Sequence, residues 1–303
     1  MRGQQWSSRS LGSKFKHQIF YSLIRWLGAW AAYPLLYVVV FYYSLLPSVR
    51  RRSQPYLSRR FPGSGRFSRW RQAFRLNLCF GLVLLERAIM GITGRMDFSV
   101  DDQSEERIRQ LLAEGRGLVV LSAHVGAWQT GLGRLDTFGT PINIVQRRQS
   151  ADVDRHYFEH RKGVKAPNII EAAEPVVSLA AMTSALVRRE VLCMMGDRVW
   201  PGENLTFKVS FMGGPILISA MPFYLANKVG TPIVVVFTRR TGRSQGVGEI
   251  WTIIRPRSDS RNTDDLAPYA KIFADHLERY VAAEPFEFFN FYDLWNIGDG
   301  HVD

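Results

Sequence analysis

A chain of 303 residues is long enough for one large or two small domains, and 46% apolar with 22% charged residues is the composition of a folded protein. The net charge of +12 belongs to one end: residues 1–75 hold 14 of the 39 Lys and Arg and none of the 27 Asp and Glu, so the remainder is close to neutral. Two cysteines, Cys79 and Cys193, each inside an apolar run, read as buried thiols in a reducing compartment; no spacing supports a disulfide framework or a metal site, and no cofactor is expected.

A basic segment binds either nucleic acid or an anionic membrane surface, and its contents decide which. Leu27 to Ser48 is a run of 22 residues without a charge, with Trp26, Trp30, Tyr33, Tyr42 and Tyr43 near its ends. That length and those aromatic belts predict a single membrane helix or a deep interfacial anchor. Nine arginines between Arg50 and Arg75 place the main domain on the cytoplasmic side by the positive-inside rule. Nucleic acid is excluded as a partner, because the basic region is fused to a lipid-length apolar run and carries no recognition motif. Residues 1–52 are therefore an anchor with basic flanks, and residues 53–99 a basic connector with an amphipathic helix. Within that connector, residues 53–71 read as a Ser/Arg/Gly/Pro linker, and Leu76 to Ile92, interrupted by Glu86 and Arg87, as a helix resting on the membrane or on the domain.

Residues 100–303 alternate helical patterns with short apolar runs. Helices are predicted over 101–114, 128–135, 152–161, 176–189, 216–228 and 264–283. Strands are predicted over 117–122, 142–146, 168–170, 191–195, 232–238 and 249–255. Nearly all-apolar strands between helices mean a mixed, mostly parallel sheet covered on both faces, an α/β domain. No Gly-rich phosphate loop opens any helix.

Of the six histidines, His124 stands apart. It follows the strand Gly117–Ser122 directly, at the carboxyl end where open α/β sheets bind ligands, and Gly126 lets the chain turn close to a substrate. No Ser sits in a GxSxG context, so no covalent nucleophile is expected.

His124 followed by a polar residue at 129 resembles the HxxxxD/E box of the lysophospholipid acyltransferase superfamily, in its lipid A biosynthesis (lauroyl/myristoyl) branch. Gly196-Asp197-Arg198, Phe211 to Pro215 with Leu225-Ala226, and the strand from Pro232 to Arg239 resemble three further blocks in the same order. The tail Pro285 to Trp295 occupies the place of the family's C-terminal aromatic motif, in different wording. The resemblance spans about residues 20–295. It implies an inner-membrane enzyme that moves a fatty acyl chain from acyl carrier protein or acyl-CoA to a hydroxyl or amine of a lipid-like acceptor. His124 would be the general base and Gln129 its orienting partner; Arg147, Asp197, Arg198, Gly213, Gly214 and Arg239 would bind substrate. Arg148 and Arg240 read as solvated charges. Gln129 departs from the pattern: a glutamine can hold the imidazole but supplies no charge, which leaves open a catalytically silent lipid-binding protein. Asp197, folded back towards His124, is the other source of negative charge. Acceptor candidates are a lipid A precursor, an ornithine or amino lipid, and a polyene head group.

Overall fold

The computed structural model describes residues 14–94, 97–131, 138–147, 167–200, 202–257 and 262–297. Its centre is a seven-stranded sheet. In chain order the strands are β1 (Asp97–Val100), β2 (Leu118–Ser122), β3 (Ile142–Gln146), β4 (Asn168–Glu171), β5 (Val191–Met195), β8 (Ile233–Gly242) and β9 (Gln245–Ile254). They lie in the order β1-β9-β8-β2-β5-β3-β4; only β8 and β9 are antiparallel. A separate hairpin pairs β6 (Thr206–Phe211) with β7 (Gly214–Ser219).

The sheet is sandwiched, as its apolar strands require. Alternate residues of β2 face opposite layers. Leu118 and Val120 pack with Ile108 and Leu111 of α5 (Asp102–Ala113) on one side. Val119 and Leu121 join Met182 of α7 (Pro175–Val187), Phe223 of α8 (Met221–Val229) and Phe273 of α9 (Ala267–Ala283) on the other. Asp101 caps α5 by accepting a hydrogen bond from the Ser104 N–H at 3.0 Å.

One stretch of the sheet domain differs from expectation. The helix expected over 216–228 is instead β7 followed by α8. Ile216 and Ile218 are buried while Pro215 is exposed, and Phe207, Val209 and Phe211 alternate with exposed Lys208 and Ser210. That is the period of a strand. Met212 (φ 50°) and Gly213 (φ 74°) form the two-residue turn, both left-handed as such hairpins need. The helix expected over 152–161 lies outside the described residues, and α6 (Trp128–Gly131) is the described part of the one expected from 128.

The N-terminal helices are folded onto the domain. α1 (Lys14–Leu27) and α2 (Ala29–Leu45) are separated at Gly28, whose φ is 86°. The apolar run does not continue straight to Ser48: at Leu46 the chain turns by 86° into α3 (Pro47–Arg60). Proline at the first turn of α3 has no N–H to extend the preceding helix. The linker expected over 53–71 is mostly helical, because the break comes only at Gly63 and Gly65 and α4 (Arg66–Thr93) begins at once. α3 is docked by Tyr56, whose hydroxyl donates to the Pro285 carbonyl at 2.6 Å, and by Arg60, which donates to Val281 and Ala282 carbonyls.

α4 is the one described helix whose length and apolarity suffice by themselves to cross a membrane. Yet it is covered along two sides. Ala73, Leu76 and Val83 join the core of the sheet domain, while Leu85 and Ile89 pack on Ala32, Tyr33, Leu36 and Val40 of α2. A Cβ at Gly81 would stand 3.0 Å from Leu36 Cδ1, so the helices approach closely there. Glu86 is buried and pairs with Arg240 at 2.5 Å; it also accepts the Ser244 N–H, tying α4 to the β8–β9 turn. Arg240, read as a solvated charge, is thus an internal ion-pair partner. The outer face of α1 and α2 is bare and aromatic, with Trp26 and Trp30 85% and 72% exposed and Phe41 and Tyr42 beside them.

Candidate active site

His124 is carried by a short loop leaving β2, and three neighbours fix that loop. Gly126 has φ 52° and lies so close to β8 that a Cβ would fall 1.7 Å from the Thr238 carbonyl oxygen. No other residue fits there. The Thr238 hydroxyl donates to the Val125 carbonyl at 3.1 Å. On the other side the C-terminal segment forms a bridge between Phe288 and Val125. Gly126 N–H donates to the Glu287 carbonyl, and Phe289 N–H donates to the His124 carbonyl, each at 2.9 Å.

One edge of the imidazole is held by a carboxylate. Nδ1 lies 2.9 and 3.1 Å from the two oxygens of Asp197. The Asp197 side chain is 1% exposed and the His124 side chain 19%. Asp197 reaches this place because β5 runs parallel to β2, Ser122 opposite Met195, and the Gly196 N–H donates to the Ser122 carbonyl at 2.8 Å. Burial would raise the Asp197 pKa, but the charge of His124, the ring hydrogen bond and Arg198 outweigh it and hold the carboxyl below the usual range. An ionised Asp197 accepts from Nδ1–H and so selects the tautomer whose Nε2 carries the basic lone pair. A carboxylate orienting an imidazole is the arrangement of a general base.

The partner of Nδ1 is therefore Asp197, the second source of charge that the sequence leaves open. Gln129 lies on α6, and its side chain is outside the described residues. Arg198 sits beside the pair: Nη2 donates to the Phe289 carbonyl at 2.8 Å, and Nε is 3.8 Å from Asp197. Arg147 directly follows β3 at the same carboxyl edge of the sheet. Arg239 pairs with Glu249 of β9 at 3.2 Å and is half exposed. Gly213 and Gly214 lie elsewhere, in the β6–β7 turn; a Cβ on Gly214 would meet Trp295, which packs there under Arg59. Burial pushes the Cys193 thiol up to about 12, so it is inert as a nucleophile.

Aromatic groups frame the ring. The Trp128 ring lies 5.5 Å from that of His124 and contacts Phe80 of α4 and Phe289. Under α5 a narrow apolar cleft opens beside Trp128, lined by Ile108, Val120, Met195, Val236 and Ile250, with Gly131 at its edge. Trp128 falls inside the His124 box and Val236 and Thr238 inside the Pro232–Arg239 block, but nothing in those blocks marks them as clamp or cleft wall; that emerges only where the elements meet.

An α/β sheet that delivers a buried Asp–His pair to its carboxyl edge, beside an apolar cleft and an aromatic helix layer, defines an enzyme of apolar substrates. A model of the bacterial lipid A biosynthesis acyltransferases matches residues 72–296, and the chain belongs to that family: it is an acyltransferase acting on lipid substrates. The crystal structure of the 1-acyl-sn-glycerophosphate (LPA) acyltransferase PlsC from Thermotoga maritima is similar at 15% identity. That similarity covers 83% of this chain and 95% of that one, with a TM-score of 0.37. None of the curated proteins matches the chain significantly.

Proposed function

We propose that the protein transfers a fatty acyl chain from an acyl thioester, on acyl carrier protein or coenzyme A, to a hydroxyl or amine of a lipid-like acceptor. His124 Nε2 takes the acceptor's proton as its oxygen or nitrogen attacks the thioester carbonyl. Asp197 orients the ring and stabilises the imidazolium. The tetrahedral oxyanion collapses, the carbon–sulfur bond breaks, and the departing thiolate takes the proton back from Nε2. Arg198 lends positive charge to this region, and the guanidinium forks of Arg147 and of Arg239, the latter paired with Glu249, suit phosphate groups of donor or acceptor. The apolar cleft under α5, with a volume of about 30 Å³, has room for only a small part of an acyl chain and would have to widen to take more. Gln129 has no proton-transfer role in this scheme.

The single observation that carries the reading is the 2.9 Å contact of Nδ1 with the buried Asp197. It also weighs against a catalytically silent protein, since the argument for silence was a missing carboxylate at 129. The enzyme acts at the cytoplasmic face of the inner membrane, held by the exposed aromatic side of α1 and α2 and by the arginines from Arg50 onward. A basic, membrane-facing surface also suits an acidic carrier protein as donor.

The test is lipid mass spectrometry of a deletion strain complemented with either wild type or His124→Ala. An acylated lipid restored by wild type and absent with the variant supports the reading and names the acceptor. Restoration by both would refute it.

A further inference from the structure

The loop that carries His124 is gripped from two sides, by Thr238 of β8 and by residues 287–289 of the tail. One side chain joins the two grips. Glu287 is buried, and its Oε2 lies 3.0 Å from the Tyr280 hydroxyl and 3.3 Å from the Arg240 N–H. The same Tyr280 hydroxyl lies 2.9 Å from the Thr238 carbonyl oxygen. That carbonyl is the one pressed against Gly126.

Tyr280 has one proton and two acceptors in reach. Both contacts are satisfied if Tyr280 donates to Thr238 and a protonated Glu287 donates to Tyr280 while accepting from the Arg240 N–H. The surroundings favour the neutral acid. Burial raises the Glu287 carboxyl and outweighs the lowering by the Arg240 N–H and Tyr280 hydrogen bonds; Glu284 adds to the rise, and the opposing Arg240 guanidinium is paired with Glu86. Burial also keeps Tyr280 protonated.

We propose that Glu287 is a positioning residue for acyl transfer: through Tyr280 it locks the tail to the end of β8 and thereby fixes His124 between them. The inference rests on His124 being the general base. It gives the Glu in the tail's Phe-Glu-Phe-Phe run a function separate from the aromatic packing around it. A Gln amide can still donate to Tyr280, giving up only the longer Arg240 N–H contact, and a methyl group can make neither. Because the lock sets the approach of Nε2 to a bound acceptor rather than substrate affinity, its loss should appear in kcat.

The experiment measures acyl transfer from a long-chain acyl thioester by purified full-length protein, with wild type, His124→Ala, Glu287→Gln, Glu287→Ala and Tyr280→Phe side by side. Glu287→Gln should keep kcat within about twofold, and Glu287→Ala should lose at least about tenfold in kcat with KM changed by less than about threefold. Tyr280→Phe, which keeps the ring and its packing, should fall between them. A folded Glu287→Ala with wild-type kcat, or Glu287→Gln as impaired as Glu287→Ala, would overturn the proposal. If Glu287→Ala does not fold, unchanged kcat in Tyr280→Phe overturns it instead. Loss of activity in His124→Ala beside an unaffected Glu287→Ala leaves the general-base reading standing and removes only the lock; retained activity in His124→Ala removes both.

Discussion

At His124 a buried carboxylate holds Nδ1, and the catalytic argument follows from that contact. Asp197→Asn keeps the shape but presents an amide where the carboxylate fixed the tautomer, so kcat should fall by about 10³–10⁴. Gln129→Ala should stay within about threefold of wild type; a collapse there would return the orienting role to Gln129. Stability gives an independent sign. The depressed pKa of Asp197 adds stability at pH above the ordinary Asp range, and this is lost as pH falls through the depressed value. Thermal unfolding of wild type and Asp197→Asn should therefore differ at neutral pH and converge in acid. Gly126→Ala places a methyl against the Thr238 carbonyl and should not accumulate as folded protein. Of this site, His124 was legible as a histidine straight after a buried strand, and Asp197 as a charge in a neighbouring block. Which of 129 and 197 meets the ring was not legible, because that contact depends on the β2–β5 register. Glu287 was hidden altogether, since its partners are 7 and 47 residues away in sequence and meet only in the fold.

At the scale of elements, the apolar runs of β2, β3, β5 and β8 were readable because each is buried on both faces and bounded by turns. β1 is four residues on the sheet edge, too short to signal itself. β7 was masked because Gly214–Ser219 abuts α8, so that two periods merged into one apparent helix. The cleft under α5 gives an element-scale prediction. Val236→Phe would close it from β8, and thioesters of long acyl chains should lose more rate than short ones, since each CH₂ contributes about 0.8 kcal/mol on burial. Competition among thioesters of graded length reads this directly; an unchanged preference would place the acyl chain elsewhere. The Glu86–Arg240 pair that fastens α4 to the β8–β9 turn is a second case. Removing Arg240 leaves a buried carboxylate and should cost about 3–5 kcal/mol, while replacing both partners by Leu and Met should cost much less. Denaturant unfolding of the two variants in detergent separates these outcomes.

For the whole molecule, the lipid-length apolar run pointed to the membrane but not to its geometry. Hydropathy cannot register that α4 is clasped between α2 and the sheet domain, or that Pro47 turns the chain by 86°. The resulting body has its aromatic face on α1 and α2 and its basic residues directly after them, and this is the layer through which we propose that the protein meets lipid. Trp26→Ala with Trp30→Ala should weaken flotation with anionic vesicles at least several-fold while leaving the fold intact, and high salt should weaken the remainder. The most direct test of the central claim is the rate of acyl transfer by purified protein in mixed micelles, followed against pH for wild type and Asp197→Asn. The account predicts a general-base limb in wild type, with kcat/KM rising as His124 loses its proton. In Asp197→Asn the rate should be far lower and the limb displaced to lower pH, because the negative neighbour that favours the imidazolium is gone. Equal rates with superimposable profiles would contradict it.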